Sequence, residues 1–372
     1  MNKLYTKVIK AYNEPSPGSI KLLRKSFKPA VDKHTEPVMV QIMKLGITDD
    51  INEVYDLIEN KQLPLDIQNQ IYDSTLYSNF TPVAVQIDVE RNAYNIYEYD
   101  GLKIVSAAAT AVAETVAAAS ARIALMKTLY GRNIDIDIDT DTDTDTDTDI
   151  DMTLYLTDNK KIFNPDDTIL GTNEINSGVS IFQSGTAPQI NIFRKEEMNK
   201  LIIHEMVHCL DMDDRNIAID FSKIFNIPPQ NDYKVYEAYT EFMAVVINTM
   251  ISHDKANWQA AFAAEQRFAL FQIAKILVHY GFANISEFNR PYCCDKFRQE
   301  TEVFSYFFIK AALLFRADEF LARETQSRKI YIEFATNPQF LAHIDAYMAY
   351  IIANRRNIPI DLWNTLRMTI NN

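Results

Sequence analysis

No run of about 18 uncharged apolar residues occurs in the chain, which argues against a membrane span. The nearest approach, the alanine-rich Ser106–Ala121, is interrupted by Glu114 and followed by Arg122. The opening MNKLYTKVIKAYN has no apolar core of signal-peptide length. Cysteine is scarce. Cys209, Cys293 and Cys294 make neither a disulfide framework nor a CxxC pair, and the adjacent two read as ordinary thiols. No basic stripe with interleaved aromatics stands out, so nucleic acid is not an expected partner. These absences lead to the expectation of a cytoplasmic protein without membrane contact, its oligomeric state open.

What is present fits a globular chain. Its 372 residues can bury a large core, as two or three domains or one two-lobed domain. The net charge of −13 is concentrated, since Asp135–Asp151 holds nine aspartates and no Lys or Arg. This period-two tract would put every aspartate on one face of a strand, where like charges repel. It reads as a low-complexity insertion in a loop or edge strand. A calcium site is the alternative, but the turn glycine of an EF-hand loop is missing.

Along the chain, residues 1–80 read as a helical, loop-rich segment. Val83–Asp100 alternates apolar and polar residues, which predicts a strand or hairpin turning near Arg91–Asn92. The Ala-rich run to Gly131 predicts a helix. MTLYLTD, NSGVSIF and QINIF predict short strands. A helix starts near Lys195, with Glu196 and Glu197 in its first turn, where they suit the helix dipole. Helices are then expected over 215–226, 233–252, 256–280, 298–316, 328–352 and 359–369.

The stretch KLIIHEMVHCLDMDD carries the chemistry. The helix is apolar almost all round, which predicts burial, yet it carries His204, Glu205 and His208. Imidazoles at i and i+4 share one face and both reach one zinc ion at about 2.0–2.1 Å. The glutamate between them stands beside the open coordination position as general base. Without a cation, such a face is costly to bury. A catalytic zinc needs a third protein ligand. Glu237, in the apolar YKVYEAYTEFMAVVINTM, is one candidate. Glu241 lies one turn on, and two such carboxylates repel unless cations satisfy them. With zinc on Glu237, Glu241 is free to orient His204. Asp214, six residues past His208, is the other candidate, at the third-ligand position of HExxHxxGxxH/D. There Asp211 replaces the glycine of the turn.

HEMVH followed by YEAYTE resembles the gluzincin zinc metallopeptidases, the thermolysin-like group, whose pattern is HExxH and later NExxxD or NExxxE. The resemblance covers roughly 83–306. It implies an α+β, zincin-like two-lobed fold. An upper lobe over 81–214 would hold a small mixed sheet with helices, interrupted by the insertion at 135–151. A mainly helical lower lobe over 215–372 would carry the third ligand. It implies one Zn2+ on His204, His208 and Glu237, with Glu205 as base and Glu241 behind a ligand. Two departures stand out: residues 209–236 make a longer connection than in thermolysin, and Tyr236 replaces the Asn. The family's oxyanion donor is a lower-lobe Tyr or His, which points to Tyr306, with His279, Tyr280 and His253 as rivals. The chain also looks like uncharacterised peptidase-like proteins of giant DNA viruses, so a viral source would place it in host cytoplasm or virion.

The expected activity is zinc-dependent peptide hydrolysis of a peptide or protein substrate, lying extended along NSGVSIF. Asn176, Ser177 and Gly178 are the expected contacts, within a stretch reaching Ser180. The alternatives are a catalytically silent zincin-fold interaction protein, or a zinc amidohydrolase with non-peptide substrates.

Overall fold

The computed structural model describes residues 1, 3–6, 8, 80–91, 95–99, 102–106, 112–130, 150–164, 166, 168–182, 188–229, 233–323 and 326–371. Most of the expected N-terminal helical segment and residues 135–149 of the aspartate tract lie outside them.

The chain is of α+β class. After helical residues 3–6, the next described element is α1 (Val83–Arg91), where alternation predicts a strand. A strand would turn Val83, Val85, Ile87 and Val89 to one side. The helix instead buries Val85 and Val89, four apart, and leaves Val83 and Ile87 exposed. The expected hairpin follows later, as β1 (Asn95–Tyr99) and β2 (Leu102–Ser106). The first residues of the Ala-rich run thus belong to a strand, and the helix α2 occupies Val112–Tyr130. Strands β3 (Asp151–Tyr155), β4 (Gly178–Ile181) and β5 (Gln189–Ile192) complete one sheet, in the order β1-β2-β3-β5-β4. β2, β3 and β5 run parallel, while β1 and β4 are antiparallel edges. Two of the five strands therefore end the sheet, and β4 is the edge next to the helix Met198–Cys209.

Helix α3 (Met198–Cys209) packs on α2, β4 and β5. The small Ala118, Ala119 and Ala121 of α2 are buried, which allows close helix approach. Glu196 and Glu197 stand ahead of α3, not in its first turn. Glu197 takes a left-handed backbone angle (φ 62°) and is fully buried. It is satisfied by the Lys161 ammonium at 2.8 Å and by the backbone N–H groups of Met368 and Thr369 at 2.5 and 2.7 Å. Those bonds, rather than the helix dipole, fix it.

The rest is helical. α4 (Val235–Ser252) packs on α3 and on α5 (Trp258–His279). A six-residue π turn (Phe304–Ile309) runs into α6 (Lys310–Phe315). The expected helix over 328–352 is two, α7 (Arg328–Ala335) and α8 (Pro338–Asn354). Pro338 starts the second one, with Asn337 capping it. Over 215–226 only the 3-10 turn Phe221–Lys223 forms, and α9 is the short Ile360–Asn364. An extended strap, Leu366–Asn371, then crosses the core. The Glu265 carboxylate on α5 accepts from the N–H groups of Ile370 and Asn371 at 3.1 Å each, and Lys310 donates to the Met368 carbonyl at 2.7 Å.

Candidate metal centre

Helix α3 is buried from Lys200 to His208, so its polar residues must find partners inside the protein. Their spacing brings His204 and His208 together, with Nε2 atoms 3.2 Å apart. The first turn of α4 adds Glu237, whose Oε2 lies 3.6 Å from His204 Nε2 and 3.4 Å from His208 Nε2. Among the described residues this trio is the one cluster of at least three His, Cys, Asp or Glu side chains able to hold a metal.

The outer nitrogens face carboxylates. His204 Nδ1 lies 3.0 Å from Glu241 Oε1, although not aligned as a hydrogen bond. The same oxygen accepts from the buried Lys200 ammonium at 2.6 Å. His208 Nδ1 sits 2.8 Å from Asp213 Oδ2, which also accepts from Arg215 Nε at 3.2 Å.

Glu205 points at the sheet edge. Ser180 donates its hydroxyl to Glu205 Oε2 at 2.5 Å. A Cβ on Gly178 would come within 2.7 Å of Oε1, so any larger residue there would push the Glu205 carboxylate aside. Tyr306, in the π turn, donates to Glu237 Oε2 at 3.1 Å. Such turns arise where a helix takes in an extra residue, often at functional sites. Both Glu205 and Tyr306 line a cavity shared with Phe80, Asn176 and Gly178.

The electrostatics follow from burial and crowding. Burial disfavours the His208 imidazolium, but Glu237 and Asp213 outweigh it and raise the group to about 10. His204 is raised for the same kind of reason, by Glu237 and Glu241 against burial. Burial opposes ionisation of Glu237 and Glu241. The two imidazoles nevertheless hold Glu237 below the usual carboxylate range, and Lys200 with His204 does the same for Glu241. Burial and the carboxylates of Glu237, Glu205 and Glu241 push the Tyr306 phenol well above its ordinary value, which keeps its proton on.

The donor set fits zinc. Ligands at about 2.0–2.1 Å from a tetrahedral ion are separated by roughly 3.3–3.4 Å. The three distances here are 3.2, 3.4 and 3.6 Å. Two imidazole nitrogens and a carboxylate oxygen are the donor types of a catalytic zinc site with an open fourth position.

The expected residues fall into place unevenly. His204, His208, Glu205, Glu237, Glu241 and Tyr306 converge. Asp214 does not: it is exposed and binds the backbone N–H of Asn216 at 3.0 Å. Asp211 does adopt the left-handed turn (φ 50°), and that turn sends Asp213 inward in place of Asp214. Asn176 and Gly178 line the cavity, whereas Ser177 is buried and off its wall. His253, His279 and Tyr280 stand outside the cavity lining, at Thr249, Phe163 and Arg298 respectively. Ser180, expected within the substrate-contact stretch, lines the cavity and also binds Glu205. The sequence did not single out Lys200, Asp213 and Arg215. Lys200 carried a signal, a charged residue one turn before His204 on an apolar helix. The other two depend on tertiary placement alone.

Comparison with known proteins adds one relative. The chain is 25% identical over 212 residues to an uncharacterised protein of Acanthamoeba polyphaga mimivirus. The match covers 50% of this chain and 55% of that protein, so the chain spans about half of its relative's length. No family model matches, and no solved structure matches. Among the described residues no helix is long and apolar enough to cross a membrane. The similarity to a giant-virus protein agrees with the sequence reading and leaves the chemistry to be argued from the site.

Proposed function

We propose that this protein is a zinc-dependent peptidase of the gluzincin kind, with one Zn2+ held by His204, His208 and Glu237. The observation that carries the reading is the spacing of the three ligand atoms, 3.2–3.6 Å, beside a Glu205 carboxylate in the same cavity. Bound there, the ion would supply Lewis acidity, polarising a carbonyl and acidifying water.

The chain's own residues do the rest. Glu205 takes the proton of the attacking water and passes it to the leaving amine. Ser180 and the bare backbone at Gly178 fix its carboxylate. Tyr306 donates a hydrogen bond to the oxyanion and keeps its proton. Asp213 binds the outer nitrogen of His208 and Glu241 faces that of His204, which favours the ring orientations that ligation needs. The substrate adds as a strand along β4, whose outer edge has no partner strand among the described residues. Asn176 and Gly178 lie along that path.

The test compares wild type with Glu205→Gln and Glu237→Ala, for metal content and for cleavage of a broad peptide library. The expectation is about one zinc per chain, lost in Glu237→Ala. Glu205→Gln keeps the metal and loses activity by ~10²–10⁴-fold. Zinc without cleavage of any peptide would turn the reading towards a silent zincin-fold protein or an amidohydrolase with non-peptide substrates. A protein that takes up no zinc overturns it.

A further inference from the structure

The cavity wall beyond His208 carries groups that hydrolysis leaves unused. Phe182, Arg215, Lys234 and Tyr236 line it. Arg215 is held in place on three sides. Its Nε binds Asp213 at 3.2 Å, its Nη2 donates to the His208 carbonyl at 3.3 Å, and its guanidinium lies 4.9 Å over the Phe182 ring. Nη1 has no partner among the described residues, and 40% of the side chain is exposed.

Lys234 is 44% exposed, and among the described residues its one carboxylate neighbour, Glu302, is 3.9 Å away, too far for a strong hydrogen bond. Tyr236 packs edge-on to His208, with centroids 6.2 Å apart. Its hydroxyl has no partner among the described residues. Lys234 caps α4 and Tyr236 lies in its first turn, so the positive end of an 18-residue helix dipole adds to the same field. A pre-positioned guanidinium, an ammonium and a phenol, all short of acceptors, suit a planar anion.

We propose that Arg215, Lys234 and Tyr236 form a carboxylate-binding subsite, and that the substrates are peptides bearing a carboxylate close to the scissile bond. This rests on the peptidase reading. β4 starts at Gly178 beside Glu205, and the chain reaches Phe182 under Arg215. A peptide added along that edge spans the distance in about four residues, at ~3.3 Å each. The carboxylate therefore belongs within a few residues of the cleaved bond, on the Phe182 side. It can be the peptide's terminal α-carboxylate or an Asp or Glu side chain.

Binding by the zinc-loaded Glu205→Gln protein tests this without turnover. Four labelled peptides of one sequence are compared by fluorescence anisotropy: free or amidated at the C-terminus, and with Glu or Gln near the scissile bond. Neutralising the recognised carboxylate should weaken binding about tenfold or more. Loss on amidation assigns the α-carboxylate, and loss on Glu→Gln assigns the side chain. Adding Arg215→Met should erase the discrimination, and Arg215→Lys should restore part of it. Lys234→Met and Tyr236→Phe should each reduce it a few-fold with zinc content unchanged. Equal affinity for charged and neutral peptides overturns the subsite alone. So does discrimination that survives Arg215→Met and Lys234→Met with zinc in place. A zinc-loaded protein that binds no peptide overturns the subsite and the peptidase reading together.

Discussion

Alanine at Gly178 would fit only by moving a neighbour. The added Cβ would sit 2.7 Å from Glu205 Oε1 and 3.3 Å from the Asn191 carbonyl. The carboxylate is the softer of the two neighbours, so it is the one displaced. Gly178→Ala should cut peptide cleavage at least tenfold under the proposed mechanism, for a stability cost of about 1–3 kcal/mol. Turnover and urea unfolding of the same sample check both halves.

Thiol reactivity provides a second residue-scale prediction. Cys294 is lowered by the Asn226 amide, which donates to its sulfur at 3.2 Å. Burial pushes the Cys209 thiol up to about 12. The thiolate is the nucleophile, so at pH 8 iodoacetamide should alkylate Cys294 first and leave Cys209 intact in the folded protein, as read by peptide mass mapping. At this scale the sequence was informative wherever spacing along one helix decides geometry: His204, Glu205 and His208 could be read directly. It was silent on which of Asp213 and Asp214 faces inward, because the turn at Asp211 decides that.

Between elements, the seam of α3 and α4 is polar as well as apolar. The buried Lys200–Glu241 pair, at 2.6 Å, crosses it beside His204. Lys200→Met strands the Glu241 carboxylate in the interior and should cost about 3–5 kcal/mol. The double variant Lys200→Met/Glu241→Leu should regain most of that stability but bind zinc more weakly, since nothing then orients His204. Denaturant titration and competition with a chelator separate the two effects.

On α5, Lys275 is buried and donates to the carbonyls of Leu362 and Thr365. Burial lowers its ammonium from 10.5 to about 7. A lowered folded value means that the unfolded chain binds more protons between pH 7 and 10.5, so stability rises with pH across that window. Relative to Lys275→Met, the wild type should gain up to ~5 kcal/mol over it. The two carbonyl acceptors favour the ammonium and make that figure a ceiling. Parallel pH profiles for the two proteins would show that the amine stays charged.

At this scale the sequence foresaw α3, α4, α5 and three of the strands, where periodicity was strong. It misread α1, because two valines four apart satisfy a helix as well as an alternating pattern satisfies a strand. It also ran α7 and α8 together across Asn337–Pro338.

Across the described residues, the sheet, the helical part and the strap meet behind the candidate metal centre. Glu197 ends at the strap, Lys200 ends at Glu241, and Lys310 links α6 to Met368. None of this was legible beforehand, since charged residues scattered along apolar segments give no sign of their partners. The mixed α+β class and the placement of helices after residue 214 were legible, because they follow from composition and pattern summed over many residues.

The strap has a kinetic consequence. The left-handed residue that starts α3 is closed by Met368 and Thr369, 171 and 172 positions further along. Contacts between such distant positions form late, because the entropy of closing so large a loop is lost before the contact compensates for it. The helix can gain its hydrogen bonds early, while its first residue waits. Refolding followed by circular dichroism should therefore run ahead of refolding followed by zinc uptake. Glu197→Gln, which weakens the closure, should widen the interval between them. Coincident traces in both proteins would mean that the centre assembles without waiting for the strap.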